Sequence, residues 1–334
     1  MKINYFVFLF TIITSGTLKA QISYENRVEF ELKDGYTDEK IYEFGKAGFI
    51  MVSRSEKANN GDFEWKFEQF SVDLKSVKTK SIFLSNKLSL IETYRNNERI
   101  HSLFKDRKGN FKLITTDANS LIITEAIGEL PKKAWVQDMS VLSDYAFFKT
   151  TIKRAPFLFS VNWKTGKKKL IPISIENVSA KKTTLMNFQV LESSSEVFVY
   201  TSALIGKRKT DIHVIRLNFR GEKEGSFNLT KNIDANIIDI SASKLTDNEY
   251  IYTGTYSKNN TATSEGIFIC KASRDQVAFF EMHNFLDLEN FLKTQMIINE
   301  AIINEKVFEI FSLTPSDKVI VENSEGKSIG SLPV

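Results

Sequence analysis

Six stretches of this chain share one pattern: a strand-like run, a few polar residues, and a second strand-like run. They are "FSVDLKSVKTKSI" (70–82), "LITTDANSLIITE" (113–125), "FSVNWKTGKKKLI" (159–171), "VIRLNFRGEKEGS" (214–226), "FICKASRDQVAFF" (268–280) and "VIVENSEGKSIGS" (319–331). With Ser76, Ser120, Gly166, Gly221, Asp275 and Gly326 as turn markers, the successive spacings are 44, 46, 55, 54 and 51 residues. Upstream of each hairpin lies another apolar hairpin, so each unit holds four strands. A four-stranded unit recurring at about 40–50 residues is the signature of a propeller blade. Such a sheet is covered on both faces by its neighbours, and radial repetition leaves only short edges.

The units read as 36–85, 86–132, 133–174, 180–231, 232–286 and 296–334. The predicted fold class is therefore all-β, a β-propeller of six four-stranded blades; five or seven blades, or a β-sandwich, are the alternatives. The last unit is the weakest, because its first strand, "MIINEAII", is poorly patterned. "RVEFEL" (27–32) alternates Val28, Phe30 and Leu32 with Glu29 and Glu31, so an extra strand at 24–32 is placed to close the ring. Helical periodicity is confined to "LDLENFLKTQ" (286–295), with Asp287 as its expected cap.

The N-terminus sets the compartment. Met1-Lys2 precedes the nine apolar or β-branched residues "YFVFLFTII", and Ala20 stands at a cleavage position. That run is about half of what a membrane-spanning helix needs, so residues 1–20 read as a signal peptide. The mature chain, 21–334, then reads as a single propeller domain with no membrane span, exported to the periplasm, the cell surface or the medium. Removing Lys2 and Lys19 lowers the formal charge from +4 to +2, far from the imbalance of a dedicated nucleic-acid domain. The one cysteine, Cys270, has no internal partner, so burial alone must hold the fold. With 42% hydrophobic residues in a chain of this length, burial is sufficient. Cys270 lies in "GIFICKA" and reads as a packed side chain rather than a nucleophile.

Strand order sorts the loops onto two faces. The hairpins quoted above are turns between third and fourth strands, short and uniform as structural turns are. Loops between second and third strands, which share the opposite face with the inter-blade connections, vary far more: "EKANNGDFE", "KDRKGN", "KRAP", "LIGKRKTD", "SKNNTATSEG" and "TPSDK". Variable loops on a rigid scaffold are where recognition is placed, so Asn59, Asn60, Lys207, Arg208, Asn259, Asn260 and Thr261 are the candidate binding residues.

No catalytic constellation emerges. Gly166-Lys167 lacks the upstream glycine and following helix of a phosphate loop, so Gly166 reads as a turn glycine with φ > 0 and its lysines as solvated. His101, His213 and His283 fall in three different blades, none at metal-ligand spacing. There is no G-x-S-x-G elbow, and no carboxylate pair is marked as acid and base. Catalytic residues, metal and cofactor are all read as none. Trp65, Trp135 and Trp163 read as blade packing rather than as glycan-stacking platforms.

Across residues 22–290 the chain resembles a group of uncharacterised, secreted propeller-like proteins of Bacteroidota-type Gram-negative bacteria. The resemblance rests on "YEFGKAGFIMVSRSEK", "LPKKAWVQDMSVLSDYAFFK", "FLFSVNWKTGKKKLIPI" and "NFLDLENFL". It implies compartment and fold and carries no site residues. The reading is a non-catalytic module that binds an envelope protein or a glycan and no nucleic acid. A hydrolase or lyase with acid and base gathered around a central channel is the alternative, and the sequence carries no signal for an oligomeric state. Replacing Asn259, Asn260 and Thr261 together is expected to leave folding intact and weaken partner retention in an envelope pull-down; unchanged retention would count against the two-three face.

Overall fold

The computed structural model describes residues 35–205, 210–231, 233–258, 263–274 and 276–287, and the backbone of three strands between 311 and 333. Five four-stranded antiparallel sheets follow one another along the chain, each a meander in which every strand pairs with its sequence neighbour. The first holds β1 (Tyr36–Glu43), β2 (Phe49–Ser55), β3 (Asp62–Phe70) and β4 (Ser76–Ser85). The second holds β5 (Ser89–Arg95), β6 (Arg99–Lys105), β7 (Asn110–Asp117) and β8 (Ile123–Glu129). The third holds β9 (Ala134–Leu142), β10 (Tyr145–Ile152), β11 (Ala155–Asn162) and β12 (Lys168–Pro172). The fourth holds β13 (Thr183–Leu191), β14 (Glu196–Leu204), β15 (Thr210–Asn218) and β16 (Lys223–Asn228). The fifth holds β17 (Asn236–Lys244), β18 (Glu249–Ser257), β19 (Gly266–Ser273) and β20 (Val277–Asn284).

These bounds fall inside the five units read from the repeat, and the protein is all-β, built from propeller-type blades. In the sixth unit the described strands are β21 (Phe311–Leu313), β22 (Lys318–Glu322) and β23 (Ser328–Pro333), in that order in one antiparallel sheet. The strand read at 24–32 lies outside the described residues. Helical structure does begin after β20, over 285–287, but its cap is Asn284 and not Asp287. The Asn284 side-chain oxygen accepts the Leu286 N–H at 2.8 Å, supplying a partner that the first helical turn lacks. Among the described residues no helix is long and apolar enough to cross a membrane.

The strands sort by position within their sheet. In β6 all five residues from Ile100 to Phe104 are buried, because both faces are covered. Period two then divides them: Ile100 and Phe104 join Ile50, Val52, Trp65 and Phe67 of the first sheet in one core. Leu103, on the other face, joins Phe111, Phe148, Phe159 and Val161 in the core shared with the third sheet. β14 is the same kind of strand, buried from Glu196 to Thr201. Its Phe198 and Tyr200 meet Tyr250, Tyr252, Phe268 and Cys270. Fourth strands are largely exposed: of the five residues of β12 only Ile171 is buried.

The chain divides into two compact units. One runs to Lys181 and includes Ser195–Val197 and Asn218–Glu222; the other takes Lys182–Ser194, Phe198–Leu217 and Lys223 onward. Within each unit, first strands of successive sheets lie beside one another, β5 by β9 and β13 by β17. Side chains satisfy the open edges of these strands. In the second unit the Gln189 amide donates to the Ala242 carbonyl at 3.0 Å and accepts the Ala242 N–H at 2.8 Å. In the first, the Arg95 guanidinium donates to the Glu43 carbonyl. Each bond occupies backbone groups that an unprotected edge would leave open to another chain.

Two glycines separate backbone need from crowding. Gly166 turns at φ 73 with open space where a Cβ would stand, as read from the sequence. Gly48 ends the turn before β2 at φ 85, and a Cβ there would overlap the Phe70 carbonyl oxygen of β3. Replacement of Gly166 by Ala is expected to cost about 1 kcal/mol, the left-handed penalty alone. Gly48→Ala is expected to cost about 3 kcal/mol or more, since backbone must also move. Chemical denaturation of the two variants measures the difference, and equal losses would refute it.

Candidate binding face

In the first unit the three sheets are joined at the end that carries their three-four turns. The Gln69 amide of the first sheet donates to the Ala118 carbonyl of the second at 2.8 Å. Arg99 and His101 of the second sheet pack on Trp163 of the third, 5.4 and 5.8 Å from the ring. With that end shared, the connections at 56–61, 86–88, 106–109, 130–133 and 153–154 emerge together at the other.

The two ends differ in charge. The connections just named hold eight basic residues, Lys57, Lys87, Arg107, Lys108, Lys132, Lys133, Lys153 and Arg154, against Glu56 and Asp106. All eight are exposed, and within the described residues none forms an ion pair. Asp106 is engaged in its own turn, accepting the N–H groups of Gly109 and Asn110 at 2.7 and 2.8 Å. The connections of the opposite end, 44–48, 71–75, 96–98, 118–122, 143–144 and 163–167, are near balance. They hold Lys46, Lys75, Lys164 and Lys167 against Asp73, Glu98 and Asp144, with Lys164 bound to Asp144 at 2.8 Å.

Left-handed backbone outside glycine occurs at both ends, with Leu74, Leu121 and Ser143 at the opposite one, but among the described residues only Lys153 and Arg154 are two such residues in succession. Lys153 at φ 50 and Arg154 at φ 71 form a two-residue hairpin turn closed by the Ile152 and Ala155 pair. Two positive φ angles are the mark of a type I′ turn, which favours Asn-Gly because larger side chains crowd the backbone there. The candidate Asn60 shows the easy solution: with φ 51, followed by Gly61 at φ 90, it turns the chain between Asn59 and Asp62. Asn59 and Asp62 exchange backbone hydrogen bonds at 2.8 and 3.0 Å, and both asparagine side chains stay exposed. Lys133, at φ 63, is a third cation in left-handed backbone. Strain at a defined position is a pointer toward function. Of the remaining candidates, Lys207, Arg208, Asn259, Asn260 and Thr261 lie outside the described residues.

The tryptophans part company with expectation at one position. Trp65 and Trp163 are each 6% exposed, as packing residues should be. Trp135, also read as packing, is 67% exposed. The cause is the phase of β9: Val136 and Met139 point into the core, with Asp138 (φ 47) as an extra residue between them. Trp135 and Gln137 are therefore left on the outer side. Trp135 pairs in register with Thr151, so it stands at the basic end beside Lys133 and the Lys153-Arg154 turn.

The lysine-rich stretch 159–173 has the structural role read for it, with more definite contacts. Asn162 accepts the N–H groups of Lys164 and Thr165 at 3.1 and 2.8 Å, which shapes the turn. Asp117 and Asn218 do the same at their own three-four turns. Trp163 donates its ring N–H to the Ser143 carbonyl at 3.1 Å, and Lys169 donates to the Gly221 carbonyl at 3.1 Å.

Among the described residues no group of three or more His, Cys, Asp or Glu is arranged to hold a metal ion. Cys270 is fully buried, and burial pushes its thiol up to about 12. Asp106 is held below the usual carboxylate range, first by the Asn110 side chain, and Asp247 by its bond to Lys244. Burial alone would raise Asp117, but donors from Ser120 and Asn119, with Arg99 nearby, hold it down.

No known protein-family profile matches the chain, and no curated protein sequence does. Similar solved structures include the tricorn protease, 13% identical with a TM-score of 0.44 over 92% of this chain. A prolyl endopeptidase is 9% identical with a TM-score of 0.43 over 86%. The uncharacterised protein lmo1340 of Listeria monocytogenes EGD-e is 12% identical with a TM-score of 0.43, covering 78% of this chain and 70% of its own. The chain spans 34% of the tricorn chain, 40% of the endopeptidase chain, and between 56% and 64% of four others. At these identities the likeness concerns the fold alone.

His101 generates a pH prediction. It is fully buried in β6, with Nδ1 2.9 Å from the Thr115 hydroxyl. Burial, with Arg99 adding to it, pushes its imidazole from 6.5 down to about 3. The unfolded chain therefore binds a proton that the folded one refuses, so this contribution is complete above pH 6.5 and is lost as pH falls toward 3. The slope is at most about 1.4 kcal/mol per pH unit. Thermal unfolding is expected to weaken more steeply between pH 6.5 and 4 in the wild type than in His101→Gln, and parallel curves would refute the assignment.

Proposed function

We propose that this chain is an exported, non-catalytic β-propeller that binds a protein or glycan partner in the periplasm or at the cell surface. Its working surface is the basic end of the first unit. The observation that carries the reading is the Lys153-Arg154 turn, two long cationic side chains held at φ 50 and 71 where Asn-Gly would be cheaper. Stability alone does not select that pair, whereas a ligand that needs two fixed cations does. The unpaired lysines and arginines around it extend the same surface.

Export is supported by the charged start, short apolar run and Ala20 of residues 1–20, and by the resemblance to secreted propeller-like proteins of Bacteroidota-type bacteria. The six-blade count belongs to the same reading, with 296–334 as the sixth unit.

The test separates binding from folding. The double replacement K153N and R154G relaxes the backbone and removes two cations. It is expected to raise the melting temperature by a few degrees, about 1–2 kcal/mol of stabilisation. Retention of partners from an envelope extract, or on a glycan array, is expected to fall. A more stable variant with undiminished binding would sink the assignment of this face.

A further inference from the structure

We infer that the ligand of the basic end is an acidic polysaccharide, whose carboxylate or sulfate groups meet the cations while a sugar ring stacks on Trp135. This deepens the binding-module reading and rests on it. The argument begins with charge. Exposed like charges repel one another, and the five connections named hold eight cations against two carboxylates, with none of the eight in an ion pair within the described residues. A bound polyanion removes that repulsion and draws ligand to the surface.

Geometry narrows the class. Lys132 and Lys133 immediately precede Ala134 and Trp135, while Ala134 pairs with Ile152 and Trp135 with Thr151. Ile152 leads directly into Lys153 and Arg154. Two cation pairs thus flank one indole, two to three residues away along each strand, a separation of about 7–10 Å at the strand rise. Those cations sit on connections of two and four residues with left-handed backbone at Lys133, Lys153 and Arg154, so the backbone that carries them is set before binding. The Arg154 fork suits a carboxylate or sulfate held by two parallel bonds. The C–H face of a pyranose is apolar and matches one flat indole.

The alternatives fit less well. Single-stranded nucleic acid is held by successive aromatic platforms; the exposed rings at this end, Trp135 of β9 and Phe83 of β4 (60% exposed), stand on different sheets and form no continuous series. An anionic membrane surface is gripped by apolar side chains that project beyond a basic rim; here the exposed apolar side chains, Phe83, Ile91, Ile127 and Trp135, stand on four separate strands, set back within the sheets behind the connections that carry the cations.

The experiment uses the mature full-length chain and titration calorimetry at 50 and 200 mM salt. The probes are polygalacturonate, heparin, neutral dextran, a single-stranded oligonucleotide and phosphatidylglycerol vesicles. Polygalacturonate or heparin is expected to bind, more weakly at high salt, and dextran not to bind. Trp135→Ala is expected to weaken binding about tenfold, with Trp135→Phe restoring most of it. The K153N and R154G double variant is expected to weaken binding and flatten the salt dependence, while Lys167→Ser at the opposite end changes neither. Preference for the oligonucleotide, vesicles or dextran would overturn the inference, as would full affinity in Trp135→Ala. Failure of every probe would also overturn it. In that case, envelope partners still lost by the double variant would leave the binding-module reading standing, and partners retained by it would remove both.

Discussion

Burial of the second and third strands on both faces is the constraint from which the rest of this molecule follows. A strand such as β6 has no solvent side: Ile100 and Phe104 belong to the core with one neighbouring sheet, Leu103 to the core with the other. With Cys270 the only cysteine and itself fully buried, no covalent bridge supplements that packing. Each fully buried Phe, Leu or Ile contributes about 1.5–3 kcal/mol, and the contribution exists only while the adjacent sheet is in place. Adjacent sheets within a unit therefore support one another, and the residues free to vary are those beyond the strand ends.

Freedom at the strand ends has been used unequally. At the three-four turns, side chains serve the backbone: Asp117, Asn162 and Asn218 shape the turns, Trp163 and Lys169 tie down carbonyls, and Lys164 is neutralised by Asp144. At the other end of the first unit, cations accumulate without partners, and some occupy backbone that favours smaller residues. One end of the first unit is thus bonded within itself, while the other presents solvated cations. That contrast is what the proposed recognition surface rests on.

Much of the frame was legible in the sequence, because a blade repeats the same periodic problem. The boundaries 36–85 and 133–174 coincide closely with the strands found, and "FSVNWKTGKKKLI" was readable as a hairpin from its glycine and its strand flanks. Asn59 and Asn60 marked a loop, yet their turn is accounted for by backbone geometry alone. The site was less legible. Lys132, Lys133, Lys153 and Arg154 are separated by a whole strand pair in sequence, so no local pattern joins them. "LPKKAW" held a cue, cations beside an indole, but cannot say on which side of β9 the indole falls.

Sequence by itself determined the fold class, the length and order of the blades, and which positions turn. These depend on apolar period and on residues with special backbone preferences, both local properties. Only the tertiary structure decided that Trp135 faces outward, since one extra residue at Asp138 shifts which side of the strand meets the core. It also decided that Asn284 rather than Asp287 caps the helix start, because the cap is set by where β20 ends. And it gathered eight cations from five connections at one end, since charge has no period, and distances between loops are set by how sheets pack.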